Sequence, residues 1–143
     1  QGFGIVDGDE SIETLRKKCA TVSIPEDRMD TIPTLTNNQA ITTIEDILPE
    51  DLFQQVVFKV YHPLCLRRKN CSLTETDIPT EYPRVKKVEE FFAGKFHAQK
   101  HGFAKMEFAR AVAEIITESE IKKGETKWAP VKNLVGEIEK RYS

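Results

Sequence analysis

Lys122-Lys123-Gly124-Glu125-Thr126-Lys127-Trp128-Ala129-Pro130-Val131-Lys132-Asn133-Leu134-Val135-Gly136-Glu137-Ile138-Glu139-Lys140-Arg141 reads as a helix entered through a basic turn. Pro130 suits a first helical position, where its missing N–H would have had no partner. Val131, Leu134, Val135 and Ile138 then recur at helical spacing and predict a packing face. The opposite face carries Lys132, Asn133, Gly136, Lys140 and Arg141. These are cations that reach phosphate, one amide that can pair bidentately with adenine, and a glycine that admits another backbone. Such a face fits DNA. It also fits an ordinary surface helix, which shows charge opposite its apolar stripe, and Glu137 and Glu139 would repel phosphate.

Upstream, Gly124 is a stop signal after Lys122 and Lys123, which suit a helix C-terminus electrostatically. The helix it ends is read from Phe103 to Ile121, with Met106, Ala109, Val112, Ala113 and Ile116 in line and Phe108, Ile115 and Ile121 widening the face. Before it, the polar connection His97-Ala98-Gln99-Lys100-His101-Gly102 follows a helix over 84–96, opened by Pro83 and aligned through Val85, Val88, Phe92 and Phe96, with Phe91 beside them. A helix over 50–61 buries Leu52, Phe53, Val56, Val57 and Val60 and should end at Pro63. Thr42-Thr43-Ile44-Glu45 is a capping-box pattern and opens the helical domain, 42–143.

Residues 1–41 read as an acidic, partly irregular N-terminal arm. Residues 1–10 form a glycine-containing lead-in, and Ser11 to Cys19 a two-turn helix. Residues 20–43, with Pro25, Pro33 and many threonines, favour extended chain, turns and a brief strand or two. Val22, Ile24, Ile32, Leu35 and Ile41 could anchor the arm.

At 143 residues, 39% apolar and 31% charged, the chain can bury a real core and reads as one soluble globular domain with an arm. Its longest apolar runs are too short to cross a bilayer, and no signal segment opens it. Beginning at Gln1, it reads as a piece of a longer protein. The net charge of −2 hides an asymmetry: residues 1–52 hold four basic and eleven acidic side chains, residues 53–143 seventeen and twelve. A basic segment behind an acidic one suits a nucleic-acid reader whose front faces away from phosphate, although moderate asymmetry is common.

Three cysteines, Cys19, Cys65 and Cys71, cannot all pair within the chain, which predicts reduced thiols in the cytosol or nucleus. Cys65 is expected to pack as a small apolar residue. His62, Cys65, Cys71, His97 and His101 could supply metal ligands, but their spacing matches neither a classical finger nor a four-cysteine ribbon, so no metal is assigned. Phosphate-binding glycine patterns, the paired-histidine metalloprotease motif and the nucleophile elbow are absent, and neither catalysis nor a cofactor is expected. Arg67, Arg68 and Lys69 form the densest positive cluster and fit a solvated loop, a phosphate clamp or an import signal. Trp128, the only tryptophan, reads as a core anchor setting the angle of the last helix.

Over about the last 60 positions the chain resembles the BEN domain, a small all-helical module of transcriptional regulators that binds duplex DNA and often acts with corepressors. The resemblance lies in the order of a helix with spaced aliphatics (Phe103 through Glu120), a short basic linker, then Trp128, Val131, Leu134, Ile138, Lys140 and Arg141. Where the family commonly has a cysteine and further arginines, this chain has Glu139-Lys140-Arg141-Tyr142. The resemblance implies that the last helix and its flanks lie at the major groove, with Lys127, Lys132, Asn133, Lys140 and Arg141 there and Lys122 and Lys123 on phosphates.

The expectation is therefore a mainly α fold, a compact bundle of four to five helices with an irregular N-terminal arm. The expected function is sequence-specific binding of double-stranded DNA in the nucleus, without membrane or small-molecule substrate. A corepressor or a second copy of the chain are further partners. Arg67, Arg68 and Lys69 join the candidate contact set. The alternative is a helical protein-interaction module that does not bind DNA.

Overall fold

The computed structural model describes residues 4–8, 12–116 and 126–142. In order these form β1 (Gly4–Val6), α1 (Ile12–Val22), β2 (Met29–Thr31), α2 (Ile32–Thr36), α3 (Glu50–Leu66), α4 (Arg84–Lys95), α5 (Lys105–Ile115) and α6 (Ala129–Tyr142). The fold is mainly helical, as expected, with one small parallel pair of strands. The chain divides into two units: residues 48–128, and residues 1–47 together with 129–143.

The unit of residues 48–128 is built on α3, whose apolar residues recur every three or four positions. Leu52, Phe53, Val56, Val57 and Tyr61 are all buried. Val88 and Phe92 of α4 and Phe108 and Ala111 of α5 complete the core. Aromatic rings dominate it: Tyr61 stacks on Phe92 at 4.1 Å, and Phe53 and Phe103 both lie against Phe108. The Tyr61 hydroxyl accepts the Ala104 N–H at 3.0 Å, fixing the connection before α5. Lys59 of α3 pairs with Glu114 of α5 across the exposed side of that contact.

Three local expectations are corrected in this unit. Pro63 does not end α3, which runs on to Leu66. The proline is exposed, so the carbonyl it leaves unbonded can face water, while Cys65 beyond it is drawn into the core. On α5 the buried line is Phe108, Ala111, Val112 and Ile115, whereas Met106 is 69% exposed. Both lines have helical spacing. A phenylalanine removes more apolar area from water than a methionine and alanines on the competing line, and the helix turns accordingly. The helix ends at Ile115 and Ile116 is extended, short of the predicted end at Ile121; residues 117–121 and the stop at Gly124 lie outside the described residues.

The third correction is chemical. Cys65 and Cys71 are joined in a disulfide, and Cys19 alone is a free, buried thiol. The end of α3 brings Cys65 inward, and a left-handed residue at Asn70 turns the chain back, leaving the two Cα atoms 5.4 Å apart. The argument from reduced thiols to a cytosolic or nuclear location therefore lapses.

In the other unit α2 packs on α6, with Ile32, Leu35, Ile41, Ile47 and Leu134 buried and Val131 and Ile138 against them. Val135, expected on that stripe, is 48% exposed. Positions 131, 134 and 138 already fill the seam, and 135 falls to its edge. The N-terminal segment is more ordered than an irregular arm. β1 pairs in parallel with β2, Ile5 opposite Asp30, and α1 runs three residues beyond its expected end at Cys19. A side chain at Gly8 would run into the Pro33 ring, and the Gly8 N–H donates to the Thr42 carbonyl at 2.6 Å. The cap at Thr42–Thr43 is closed by Asp46 rather than Glu45: one Asp46 oxygen accepts the Thr42 N–H at 3.0 Å and the Thr43 N–H at 3.2 Å.

Candidate nucleic-acid interface

The residues expected to touch DNA fall in both units. In the unit of residues 1–47 and 129–143, α6 exposes Lys132, Asn133, Gly136 and Lys140. A Cβ at Gly136 would meet no atom within 4 Å, so this stretch of helix surface is open. Lys132 and Lys140 have no ion-pair partner among the described residues. Asn133 and Gly136 line a polar recess of about 430 Å³ between α2 and α6, opposite Thr34 and Asn37. Asn37 ends α2 in left-handed conformation, so the recess has an amide on each wall.

Arg141 is not available in the same way. Its Nη1 donates to Asp30 Oδ1 at 2.7 Å, and its Nε lies 3.5 Å from Glu137 Oε2. Asp30 is carried to that position by β2, and its side chain is only 15% exposed. Transfer of Arg141 to a phosphate would leave this carboxylate largely buried without its guanidinium, so Arg141 leaves the contact set.

Lys127, in the other unit, lies 3.2 Å from Asp51 Oδ2 at the start of α3. An exposed pair of this kind is worth about 0–1 kcal/mol, so it removes net charge from the surface while contributing little to stability. Lys122 and Lys123 lie outside the described residues.

Arg67, Arg68 and Lys69 are all exposed on the turn that follows α3. Arg67 caps the helix, the Arg68 N–H donates to the Cys65 carbonyl at 3.0 Å, and the disulfide closes the turn six residues after it opens. The Arg68 guanidinium sits over the Phe96 ring, 4.2 Å from its centroid. Phe96 in turn meets His101 edge-on at 5.1 Å. The sequence predicts only a polar connection at residues 97–102. The structure places that connection beside the basic turn, and a ring at the end of α4 next to polar residues was the only signal of it.

The metal alternative loses its thiolates, since Cys65 and Cys71 are bonded to each other. Among the described residues no group of three His, Cys, Asp or Glu side chains is placed to hold an ion. No described helix is long and apolar enough to cross a membrane. Compared with protein-family models, curated proteins and solved structures, the chain matches none.

Proposed function

We propose that the chain binds double-stranded DNA, without catalysis, as part of a transcriptional regulator. The observation that carries this reading is the open face of α6, where Lys132 and Lys140 flank Asn133 and neither lysine is tied to a carboxylate among the described residues. An asparagine can address adenine N6 and N7, while lysines hold phosphates and set salt dependence. Arg67, Arg68 and Lys69 supply further exposed cations in the other unit. The resemblance of the last 60 residues to the BEN domain points the same way.

A gel shift with random duplexes at moderate salt tests the reading, followed by selection of bound sequences. Asn133→Ala should reduce discrimination between selected and random sites by roughly 1–3 kcal/mol, whereas Lys132→Ala should weaken binding to all sequences and flatten the salt slope by about one. Equal loss on every sequence from Asn133→Ala would remove its reading role.

A second reading, a helical protein-interaction module, is favoured by the aspartates that hold Arg141 and Lys127 and by Glu137 and Glu139 on α6. No retardation of duplex at micromolar protein would select it.

A further inference from the structure

We propose that the disulfide-closed turn 65–71 and the connection 97–101 form one docking site for the phosphodiester backbone of duplex DNA, and that reduction of Cys65–Cys71 switches it off. The inference rests on the DNA reading above but uses a different surface, in the unit of residues 48–128.

The two segments are about thirty positions apart and meet through stacking. Arg68 lies on Phe96, and Phe96 lies against His101, which also meets Tyr61 and Phe92 in the core. These ring contacts join the two segments at one corner, with Arg67, Arg68 and Lys69 on one and Lys100, next to His101, on the other, all exposed and none ion-paired among the described residues. Asn70, His97 and Gln99, also exposed, add side-chain hydrogen-bonding capacity.

Cations at helix C-termini can simply answer the helix dipole, and α3 and α4 both end here. Each end carries roughly half a negative charge, so the two together offset about one of the four cations. About three of the four cations are therefore not answered by the helix ends.

Both segments are held in tight turns. His97 ends α4 in left-handed conformation, its N–H donating to the Gly94 carbonyl at 3.2 Å and the Ala98 N–H to the Ala93 carbonyl at 2.9 Å, a Schellman arrangement. Asn70 is left-handed in the other turn, where Cys65 and Cys71 are anchored in the core and bonded to each other. The cations are therefore already ordered before an anion arrives, which lowers the entropy lost on binding.

Without the S–S bond the basic turn keeps the Arg68 N–H bond to the Cys65 carbonyl, the core packing of Cys65 and the Arg68–Phe96 contact, worth about 0.5–1 kcal/mol at an exposed site, but loses the covalent tie that fixes Cys71 beside Cys65 and holds the three cations in register. The switch itself is a two-electron step. A dithiol reductant passes two electrons and two protons to the bridge, Cys65 and Cys71 become thiols, and the reductant closes to its own disulfide.

Anisotropy of a labelled random-sequence duplex should be followed against salt for the oxidised chain, the chain reduced with dithiothreitol, and the variants Arg67→Ala/Arg68→Ala/Lys69→Ala and Lys100→Ala. Circular dichroism on each confirms that helix is retained. Reduction should weaken binding about 3- to 10-fold, and the triple variant should lower the salt slope by about one per residue removed.

If the chain binds no duplex in either redox state, the DNA reading itself fails. If it binds, and the charge variants leave affinity and slope unchanged, the corner is not the site although the DNA reading stands. Loss in the charge variants with equal binding by the reduced, folded chain overturns the switch. Capture of heparin by the oxidised chain under conditions where duplex is not held would identify a sulfated polysaccharide as the partner and overturn the assignment to DNA.

Discussion

Arg84 is 2% exposed at the first residue of α4, and its removal is the sharpest test of how the unit of residues 48–128 is held together. Its Nη1 donates to the Leu48 carbonyl at 2.6 Å and its Nε to the Thr80 carbonyl at 3.1 Å. The guanidinium also lies 4.9 Å from the Phe53 ring centroid and 5.1 Å from that of Tyr82. One side chain thus ties the start of the unit to the connection before α4 and to the core. Hydrogen bonds from a charged donor are worth about 1.5–3 kcal/mol each, and the ring contacts add about 0.5–2 kcal/mol. Against this stands the cost of desolvating a guanidinium, several kcal/mol. Arg84→Met keeps most of the stem and removes the charge but leaves the Leu48 and Thr80 carbonyls without these donors, so a net loss of about 2–4 kcal/mol is expected. Arg84→Lys, with a single ammonium in place of the planar fork, should fall between the two. Urea unfolding followed by the fluorescence of Trp128, buried in the same unit, should show a lower midpoint at unchanged slope. An Arg84→Met chain as stable as the parent would refute the reasoning, because desolvation would then cancel everything the guanidinium contributes.

Two further predictions concern single groups in that unit. Tyr61→Phe takes the acceptor from the Ala104 N–H and should destabilise by about 1–2 kcal/mol. Burial holds the Tyr61 phenol above its ordinary range, so its contribution is complete below that range and is lost as pH rises through the raised value; the variant should flatten the alkaline limb of a stability-against-pH curve. The Thr74 N–H, then the Thr74 hydroxyl, hold the Asp77 carboxyl below the ordinary aspartate range. That contribution is present above the ordinary range and lost as pH falls through the lowered value. Asp77→Asn should therefore weaken the acid dependence of the urea midpoint, and an unchanged acid limb would dismiss the cap as its source.

The helices α3 and α4 were legible because their large residues leave one choice of buried face: Phe53, Val56 and Val57 on one, Val88 and Phe92 on the other. α5 was legible as a helix but not in its rotation, since Met106, Ala109 and Ala113 have the same period as Phe108, Ala111 and Ile115. The strand Gly4–Val6 was not legible at all. Three residues carry little propensity, and the strand depends on a partner twenty-five positions on, Gly4 opposite Met29. Of the candidate site, Lys132, Asn133 and Lys140 were read correctly as a solvent face, because the apolar positions of α6 dictate what lies opposite them. Arg141 was likewise read as exposed, but its pairing with Asp30 was not legible.

Periodicity, proline and glycine placement were enough to determine that this chain is mainly helical and where most helices run, since backbone hydrogen bonding and the burial of one face are local rules. Which cations remain open was decided only by tertiary structure. Arg141 is answered by Asp30, 111 positions away, and Lys127 by Asp51, 76 positions away, while Arg68 rests on Phe96. A charge interacts with whatever the fold brings within a few ångströms, and no pattern of neighbours along the chain specifies that.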